Sequence, residues 1–224
     1  MSAKIQLRKT SLVDYPGRVS SVFFFPGCNL RCPWCHNREL VLGTAQDLIP
    51  LEEGLAHINK RKRVLGAVVL SGGEPCLYSG LGELIAEIKK TGLLVKLDTN
   101  GTFPAVLQQL FSSKETCPDY IAMDLKLAPK RYVELLPEKN NPGESAGALD
   151  PGEALIQSAA LIRASGIIGK ARFTYEYRSL ALPNGFFTIT DLADLAPLTD
   201  SAPWIFRPFR GGNCLDPAWD EIST

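Results

Sequence analysis

The chain has 224 residues, of which 24 are Lys or Arg and 24 are Asp or Glu, so its formal net charge is zero. This balance argues against a protein that binds nucleic acid or a membrane surface through bulk positive charge. The length predicts one domain, and 45% hydrophobic residues can form an ordinary core. No apolar run approaches the ~20 residues that span a bilayer, and the first residues lack the apolar stretch of a signal peptide. We therefore expect a cytoplasmic location and no membrane partner.

Short apolar runs alternate with helical patterns along the chain. The runs predict six strands, at residues 19–25, 67–71, 93–97, 120–125, 171–175 and 204–207. Between them, apolar residues three or four positions apart predict helices around residues 51–58, 81–88, 104–110, 155–162 and 190–195. This alternation predicts right-handed βαβ units and a parallel sheet, either open or curved towards a barrel.

The chain shows no second domain boundary, so residues 1–224 are predicted to form one domain with a core of about residues 10–210. Residues 137–151 are rich in Pro, Gly, Asn and Glu and predict a long surface loop, and residues 209–224 form a C-terminal tail. In open sheets and in barrels, ligands bind at the carboxyl ends of parallel strands. Chemical motifs should therefore follow the strands directly.

Three of the six cysteines lie in P-G-C-N-L-R-C-P-W-C-H-N, directly after the first predicted strand. The spacing of Cys28, Cys32 and Cys35 lets three thiolates bind one [4Fe–4S] cluster and leaves one iron for a small molecule. A structural zinc site with His36 as fourth ligand is the alternative, although adjacent residues seldom both reach one tetrahedral ion. A redox disulfide would leave the third thiol unexplained.

Four further motifs join the cysteine motif C-x3-C-x-aromatic-C, and together they carry a family resemblance. They are T-S-L-V-D-Y-P-G-R (10–18), G-G-E-P (72–75), D-T-N-G (98–101) and M-D-L-K (123–126). The cysteine motif and G-G-E-P resemble radical S-adenosylmethionine (SAM) enzymes. The full set resembles the glycyl-radical-enzyme activases, most of all those of anaerobic ribonucleotide reductases and next those of pyruvate formate-lyase. The resemblance covers residues from about 10 to about 130 and implies an α/β fold, a single-domain partial (β/α)6 TIM barrel.

The resemblance also implies roles for individual residues. Trp34 would pack against the adenine of SAM, Glu74 would accept a hydrogen bond from its ammonium group, and Lys126 would pair with its carboxylate. The residues implied to contact the cofactors are Trp34, Asn37, Gly72, Gly73, Glu74, Asp98, Asn100, Asp124, Lys126 and Arg172. Several of them have a structural alternative: a plain turn for G-G-E-P, an exposed or core aromatic for Trp34, helix capping or solvation for the aspartates, and a surface position for Lys126.

A monovalent cation is a further expectation. Asp98 and Asp124 end the third and fourth predicted strands, so they would point to one mouth of a barrel. With Thr99 and the carbonyl of Ala122 they would form an oxygen cage beside SAM, as the resemblance to pyruvate formate-lyase activators implies.

Other features bear on the branch of the family. Arg210 stands where pyruvate formate-lyase activators carry a histidine, which favours the reductase activases. His36-Asn37 differs from the Asp-Thr of carboxy-deazaguanine synthases at this place. The three scattered cysteines, Cys76, Cys117 and Cys214, are predicted to be structural. The basic run at residues 60–63 is predicted to be a solvated helix end.

The function that the resemblance implies is anaerobic radical chemistry. A flavodoxin or ferredoxin would reduce the cluster, SAM would be cleaved, and the resulting radical would take a hydrogen atom from a glycine of a partner enzyme. Two alternatives remain: a radical SAM enzyme that acts on a small molecule, and a non-enzymatic iron–sulfur or zinc module.

Overall fold

The structure, a computed structural model, describes residues 3–137, 149–167, 173–199 and 202–222. Its central feature is one sheet of eight strands. The strands are β1 (Lys4–Ser11), β2 (Ser20–Phe25), β3 (Leu48–Pro50), β4 (Ala67–Gly72), β5 (Leu94–Thr99), β6 (Tyr120–Asp124), β7 (Thr174–Ala181) and β8 (Trp204–Pro208). The helices are α1 (Arg38–Leu42), α2 (Leu51–Arg61), α3 (Leu81–Lys90), α4 (Pro104–Leu110), α5 (Pro151–Ile167) and α6 (Ile189–Thr199). Short 3₁₀ helices lie at Pro75–Leu77, Pro129–Leu135 and Pro217–Trp219.

The order of the strands confirms the predicted partial barrel. The strand order in the sheet is β3-β1-β2-β4-β5-β6-β7-β8. Six of these strands, β2 and β4 to β8, run parallel to one another. Strand β1 pairs antiparallel with both β2 and β3. Because the six parallel strands all point the same way, their carboxyl ends form one edge of the sheet.

The core lies between this sheet and the helices, as the apolar patterns predict. The central residues of β4, Val68, Val69 and Leu70, are fully buried, since a parallel strand is covered on both faces. Helix α3 buries Leu84, Ile85 and Ile88, whose spacing places them on one side of the helix. The described part of the chain contains no helix that is both long enough and apolar enough to span a membrane.

Strands β1 and β3 and helix α1 are additions to the predicted order. The sequence of β1, K-I-Q-L-R-K-T-S, is mostly polar, and only Ile5 and Ser11 of this strand are buried. Such a strand lacks the apolar run that identifies the parallel strands. It extends the sheet beside β2 and leaves the six-stranded parallel core unchanged.

Two elements lie elsewhere than predicted. The described strand β7 ends at Ala181, six residues beyond the predicted end, because it continues through alternating charged and apolar positions. The sequence pattern predicts that the last helix begins at Thr190, but α6 is capped by Thr188, whose hydroxyl accepts a hydrogen bond from Asp191 N at 3.1 Å. The Asp191 carboxylate accepts one from Thr188 N at 2.8 Å, and this exchange is a capping box. Most of the predicted loop, at 138–148, lies outside the described residues.

Candidate active site

The cysteine loop follows β2 directly, as the strand-end rule predicts. Cys32 is 5% exposed, whereas Cys28 and Cys35 are partly exposed, and none of the three is in a disulfide. The loop is held by Cys35 N, which donates to Cys32 O at 3.0 Å, and by Arg31, which donates to Cys28 O at 2.6 Å. Burial raises the pKa of Cys32 to about 12, so its thiol stays protonated at neutral pH until a metal binds.

The three thiols share one cavity with residues from the other strand ends. The cavity has a volume of about 480 Å³. Besides the three cysteines, it is lined by the predicted residues Trp34, Asn37, Gly72, Gly73, Asp98, Thr99, Asn100, Asp124 and Lys126. Three free thiols, which become thiolates on binding metal, and an adjacent polar chamber fit a cluster that leaves one iron open to a second ligand.

The two glycines of G-G-E-P are required by the approach of two backbone segments. Gly72 has φ +115°, and a Cβ there would lie 2.4 Å from Phe25 N. A Cβ at Gly73 would lie 1.8 Å from Gly27 O, at the start of the cysteine loop. Only glycine fits at either position. The glycines therefore lock β4 against the cysteine loop as well as lining the cavity.

Glu74 does not face the cavity, contrary to the role expected for it. Its carboxylate is 1% exposed and accepts three hydrogen bonds, from Cys76 N at 2.9 Å, Thr99 Oγ1 at 2.9 Å and Asn100 N at 2.7 Å. Burial raises the pKa of Glu74, and these hydrogen bonds oppose that rise. The carboxylate joins the G-G-E-P loop to the end of β5, so the structure gives no support for a contact with the SAM ammonium.

Asn37 and Asn100 both lie at the cavity. Asn37 Nδ2 donates to Gly72 O at 2.6 Å and so connects the cysteine loop to the end of β4. Asn100 Nδ2 donates to Asn29 Oδ1 at 2.9 Å and lies 3.9 Å from Cys28 Sγ. Asn37, at the end of the cysteine loop, and Asn100, after β5, thus tie this loop to two neighbouring strand ends.

The two cavity aspartates are already neutralised by side-chain cations. Lys96 Nζ lies 2.8 Å from Asp98 Oδ1, and Arg178 Nη1 lies 3.5 Å from the same oxygen. Arg178 Nε donates to Asp124 Oδ1 at 2.9 Å, and Lys126 Nζ lies 3.3 Å from Asp124 Oδ2. Burial raises the pKa of Asp124, but Arg178 and Lys126 outweigh it and hold that pKa below its usual value. We call these five residues the cavity ion cluster.

The expected cation cage does not fit this arrangement. Positive charge beside Asp98 and Asp124 comes from the protein itself, and Thr99 Oγ1 is engaged with Glu74. Ala122 is fully buried within the ladder between β5 and β6. These contacts argue against a monovalent cation at Asp98 and Asp124.

Arg178, like Lys96, is a site residue that sequence reasoning missed. It lies on β7, lines the cavity and joins Asp98 to Asp124. The predicted residue Arg172 lies outside the described residues. A lone arginine in a strand carries no motif, and the available signal was the alternation in T-Y-E-Y-R-S-L-A, which continues the strand past the predicted end.

Trp34 is 3% exposed, so its ring belongs to a packed aromatic cluster and is not free to pack against an adenine along its whole face. Its centroid lies 5.2 Å from that of Phe186 and 5.4 Å from that of Trp219. Trp219 also packs against Phe209, at 5.5 Å. The cysteine loop is thereby covered by rings from the C-terminal tail.

Hydrogen bonds join the same tail to the cysteine loop. His36 Nε2 lies 2.6 Å from Arg210 O, and Asp216 N donates to Pro33 O at 2.9 Å. We call the segment 209–219, which makes these contacts, the tail clamp. His36 is thus occupied by the clamp, and this contact argues against its use as a zinc ligand.

The three scattered cysteines lie where the packing prediction places them. Cys76, Cys117 and Cys214 are each less than 5% exposed, and none lines the cavity. Burial raises the pKa of Cys76 well above its usual value. The six cysteines therefore divide into three at the cavity and three in the core.

Known proteins similar to this chain fall in one superfamily. The family described as the Radical SAM superfamily matches residues 22–174, which is more than half of the chain. A solved structure of Streptococcus suis SuiB bound to S-adenosylmethionine aligns with a TM-score of 0.58 at 13% identity, covering 90% of this chain and 44% of that one. At this identity the likeness concerns the fold alone.

Curated relatives include activating enzymes. A Methanocaldococcus jannaschii protein, provisionally named a glycyl-radical enzyme activating enzyme, is 38% identical over 127 residues, 56% of this chain and 51% of the relative. The pyruvate formate-lyase-activating enzyme of Listeria monocytogenes is 32% identical over 142 residues, 58% of this chain and 56% of the relative.

A relative of another activity also matches. The 7-carboxy-7-deazaguanine synthase of Rhodospirillum rubrum is 40% identical over 89 residues, 39% of this chain and 36% of the relative. The chain spans about half the length, or less, of these curated relatives. The superfamily match, the cysteine loop at the end of β2 and the shared cavity lead to one conclusion: the chain belongs to the radical SAM superfamily, whose members use a [4Fe–4S] cluster and S-adenosylmethionine.

Proposed function

We propose that the protein is a glycyl-radical-enzyme activase that uses SAM to place a radical on a glycine of a partner enzyme. The observation that carries this proposal is the meeting of Cys28, Cys32 and Cys35 with the charged strand ends in one cavity. The relatives named as activating enzymes support the choice of a protein substrate. An anaerobic ribonucleotide reductase is the partner class that the sequence resemblance favours.

The cofactors supply the bond-breaking chemistry, and the residues bind and orient them. When bound, the cofactors would supply the one-electron reductive cleavage of the S–C5′ bond of SAM, which yields methionine and a 5′-deoxyadenosyl radical. Cys28, Cys32 and Cys35 would hold the cluster. Lys126, at the cavity wall, would pair with the SAM carboxylate, and Asn37 would contact SAM beside Gly72.

The cation Lys126 is suited to this task by its surroundings. Burial lowers the pKa of Lys126, but the negative charge of Asp124 is the largest opposing influence, and the pKa of Lys126 lies above its usual value. The ammonium group therefore stays protonated at neutral pH. It lies 3.3 Å from Asp124, so a SAM carboxylate would share it with an existing partner.

Exposed apolar residues beside the cavity support a protein partner. Leu12 and Val13 are 74% and 80% exposed, and the next residue, Asp14, lines the cavity. Large exposed apolar side chains next to a site are typical of interfaces with other proteins. A flavodoxin or ferredoxin is the proposed electron donor, and the cytoplasm is the proposed location.

The experiment that tests the proposal is anaerobic reconstitution with iron and sulfide. Wild-type protein should yield 5′-deoxyadenosine from SAM with dithionite, and a doublet glycyl-radical EPR signal should follow on addition of a co-encoded glycyl-radical enzyme. Absence of deoxyadenosine from a cluster-loaded sample contradicts the proposal. Silence of every co-encoded partner, with SAM still cleaved, contradicts the activase assignment alone.

A matched pair of cysteine variants assigns the ligands. Cys32→Ala should abolish SAM cleavage, because two thiolates cannot replace a three-cysteine ligand set, whereas Cys117→Ala in the core should retain it. Iron content and deoxyadenosine yield are the measurements. Full cleavage by Cys32→Ala would overturn the ligand assignment.

A second candidate function is a radical SAM reaction on a small molecule. The similarity to a 7-carboxy-7-deazaguanine synthase over 89 residues favours it. This candidate predicts deoxyadenosine formation that depends on an added small molecule, and no EPR signal with any glycyl-radical enzyme. The same reconstituted sample therefore separates the two candidates.

A further inference from the structure

We propose that Asn100 is a positioning residue for the cluster: its side-chain amide donates an N–H to the Cys28 sulfur and makes the cluster easier to reduce. The inference rests on the proposed function only in assigning Cys28 as a cluster ligand. It deepens that function, since reduction of the cluster is the step on which SAM cleavage depends.

The orientation of the Asn100 amide is fixed by its oxygen. Asn100 Oδ1 accepts hydrogen bonds from Thr102 N at 3.0 Å and from Thr102 Oγ1 at 2.6 Å. A backbone N–H can only donate, so the atom that faces it is the amide oxygen and not the nitrogen. The amide nitrogen then faces the other way, towards Cys28 Sγ at 3.9 Å and Asn29 Oδ1 at 2.9 Å.

Asn29 fixes the amide nitrogen from the other side. Asn29 Nδ2 donates to Thr102 Oγ1 at 2.8 Å, and its oxygen accepts from Asn100. Asn29, Asn100 and Thr102 thus form a closed ring of hydrogen bonds. The ring holds one N–H of Asn100 on Asn29 and leaves the second for the Cys28 sulfur.

Glu74 holds the backbone of Asn100 in place. Glu74 Oε2 accepts from Asn100 N at 2.7 Å, and Glu74 Oε1 accepts from Thr99 Oγ1 at 2.9 Å. Asn100 is 4% exposed and Glu74 1% exposed, so solvent competes little for these bonds. The carboxylate of G-G-E-P therefore acts on the cysteine loop through Asn100.

Donors to a cluster sulfur favour the reduced state. Reduction adds negative charge that is shared by the sulfurs, and an N–H dipole aimed at a sulfur stabilises that charge, which raises the midpoint potential. Cys28 Sγ also accepts a hydrogen bond from Leu30 N at 3.4 Å. Among the three cysteines of the cysteine loop, as the structure describes them, Cys28 is the one whose sulfur accepts N–H hydrogen bonds. Asn100 therefore adds a second donor to a sulfur that already accepts one.

The test is a potentiometric EPR titration of the reconstituted protein. Asn100→Leu, close to asparagine in size and without a donor, should carry wild-type iron and sulfide and show a more negative midpoint potential. Asn59→Leu, an exposed asparagine on α2, is the matched control and should leave the potential unchanged. An unchanged potential in Asn100→Leu at full cluster content overturns the inference.

A second variant decides the matter if Asn100→Leu does not fold. Asn100→Asp keeps an oxygen for Thr102 and replaces the donor by a second oxygen, so its potential should also become more negative. An unchanged potential in this variant overturns the inference equally. If the wild type forms no deoxyadenosine but the potentials shift as expected, the proposed function fails and the role of Asn100 stands.

Discussion

Two carboxylate clusters in this protein are built from the same kind of ion pair but differ in what surrounds them. Asp191, at the start of α6, is fully buried and accepts hydrogen bonds from Ala128 N, Thr188 N, Thr188 Oγ1 and Arg131 Nη1, at 2.7 to 2.8 Å. We call this group the Asp191 anchor. Asp98 and Asp124 of the cavity ion cluster contact mainly charged side chains and line an open chamber.

The difference separates a structural cluster from a binding cluster. The Asp191 anchor uses the oxygens of its carboxylate on the protein itself, so nothing remains for a ligand. The cavity ion cluster keeps its charges at a wall where a charged cofactor can reach them. Saturation by backbone donors, rather than the presence of an arginine, distinguishes the two.

The largest effect on stability is expected from a substitution that breaks the Asp191 anchor. Asp191→Ala leaves buried backbone donors and Arg131 without their acceptor, so we expect a loss of about 3 kcal/mol in the free energy of unfolding. Urea unfolding measures it. Asp194→Ala on the same helix, which removes a solvent-exposed pair with Lys130, should change stability by less than about 1 kcal/mol. Equal effects of the two variants would contradict the comparison.

A smaller effect is expected in the cavity ion cluster. Arg178→Met leaves Asp98 and Asp124 underneutralised, so the thermal midpoint should fall in choline chloride by the equivalent of about 2 kcal/mol or less. Potassium chloride should restore part of the loss, because the vacated volume then admits a cation. Thermal unfolding in the two salts is the measurement.

The wild type and a distant arginine provide the controls for this variant. Neither the wild type nor Arg163→Met on α5 should distinguish potassium from choline. A wild type that is stabilised by potassium alone would reinstate the cation cage at Asp98 and Asp124.

The smallest expected effect is the pH dependence of stability that the Asp191 anchor contributes. Burial raises the pKa of Asp191, but its hydrogen bonds and Arg131 outweigh burial and leave that pKa below its usual value. The stabilisation is therefore complete above about pH 4, the pKa of an unfolded aspartate, and is lost as the pH falls through the lower folded value. The stability difference between wild type and Asp191→Asn should shrink below about pH 4. A constant difference down to pH 3, measured by urea unfolding, would refute this.

The parallel strands and the motif residues could be predicted because each has a local signal. Val68 to Leu70 form an uninterrupted apolar run, and the cysteine, G-G-E-P and D-T-N-G motifs each follow such a run. Strand β1 could not be predicted, because its sequence is mostly polar and its pairing with β2 is fixed only by the folded sheet.

The roles of Glu74 and Arg178 could not be predicted, because they depend on partners that only the folded chain brings together. Glu74 reads as an acceptor for a ligand, yet its three donors come from residues 2 to 26 positions further along the chain. Arg178 reads as an isolated charge until β6 and β7 bring it beside Asp124. The cap at Thr188 does have a local signal, because the T-x-x-D spacing from Thr188 to Asp191 is typical of a capping box.

The tail clamp has a consequence for the order in which the site becomes complete. The contact between His36 and Arg210 joins residues 174 positions apart, so its formation closes one of the longest loops in the chain. Such contacts carry a high entropic cost and form late, after local helices and neighbouring strands have assembled. We therefore expect the cysteine loop to stay uncovered through much of folding, so that iron and sulfide can reach the three thiols before the aromatic rings of the tail close over them.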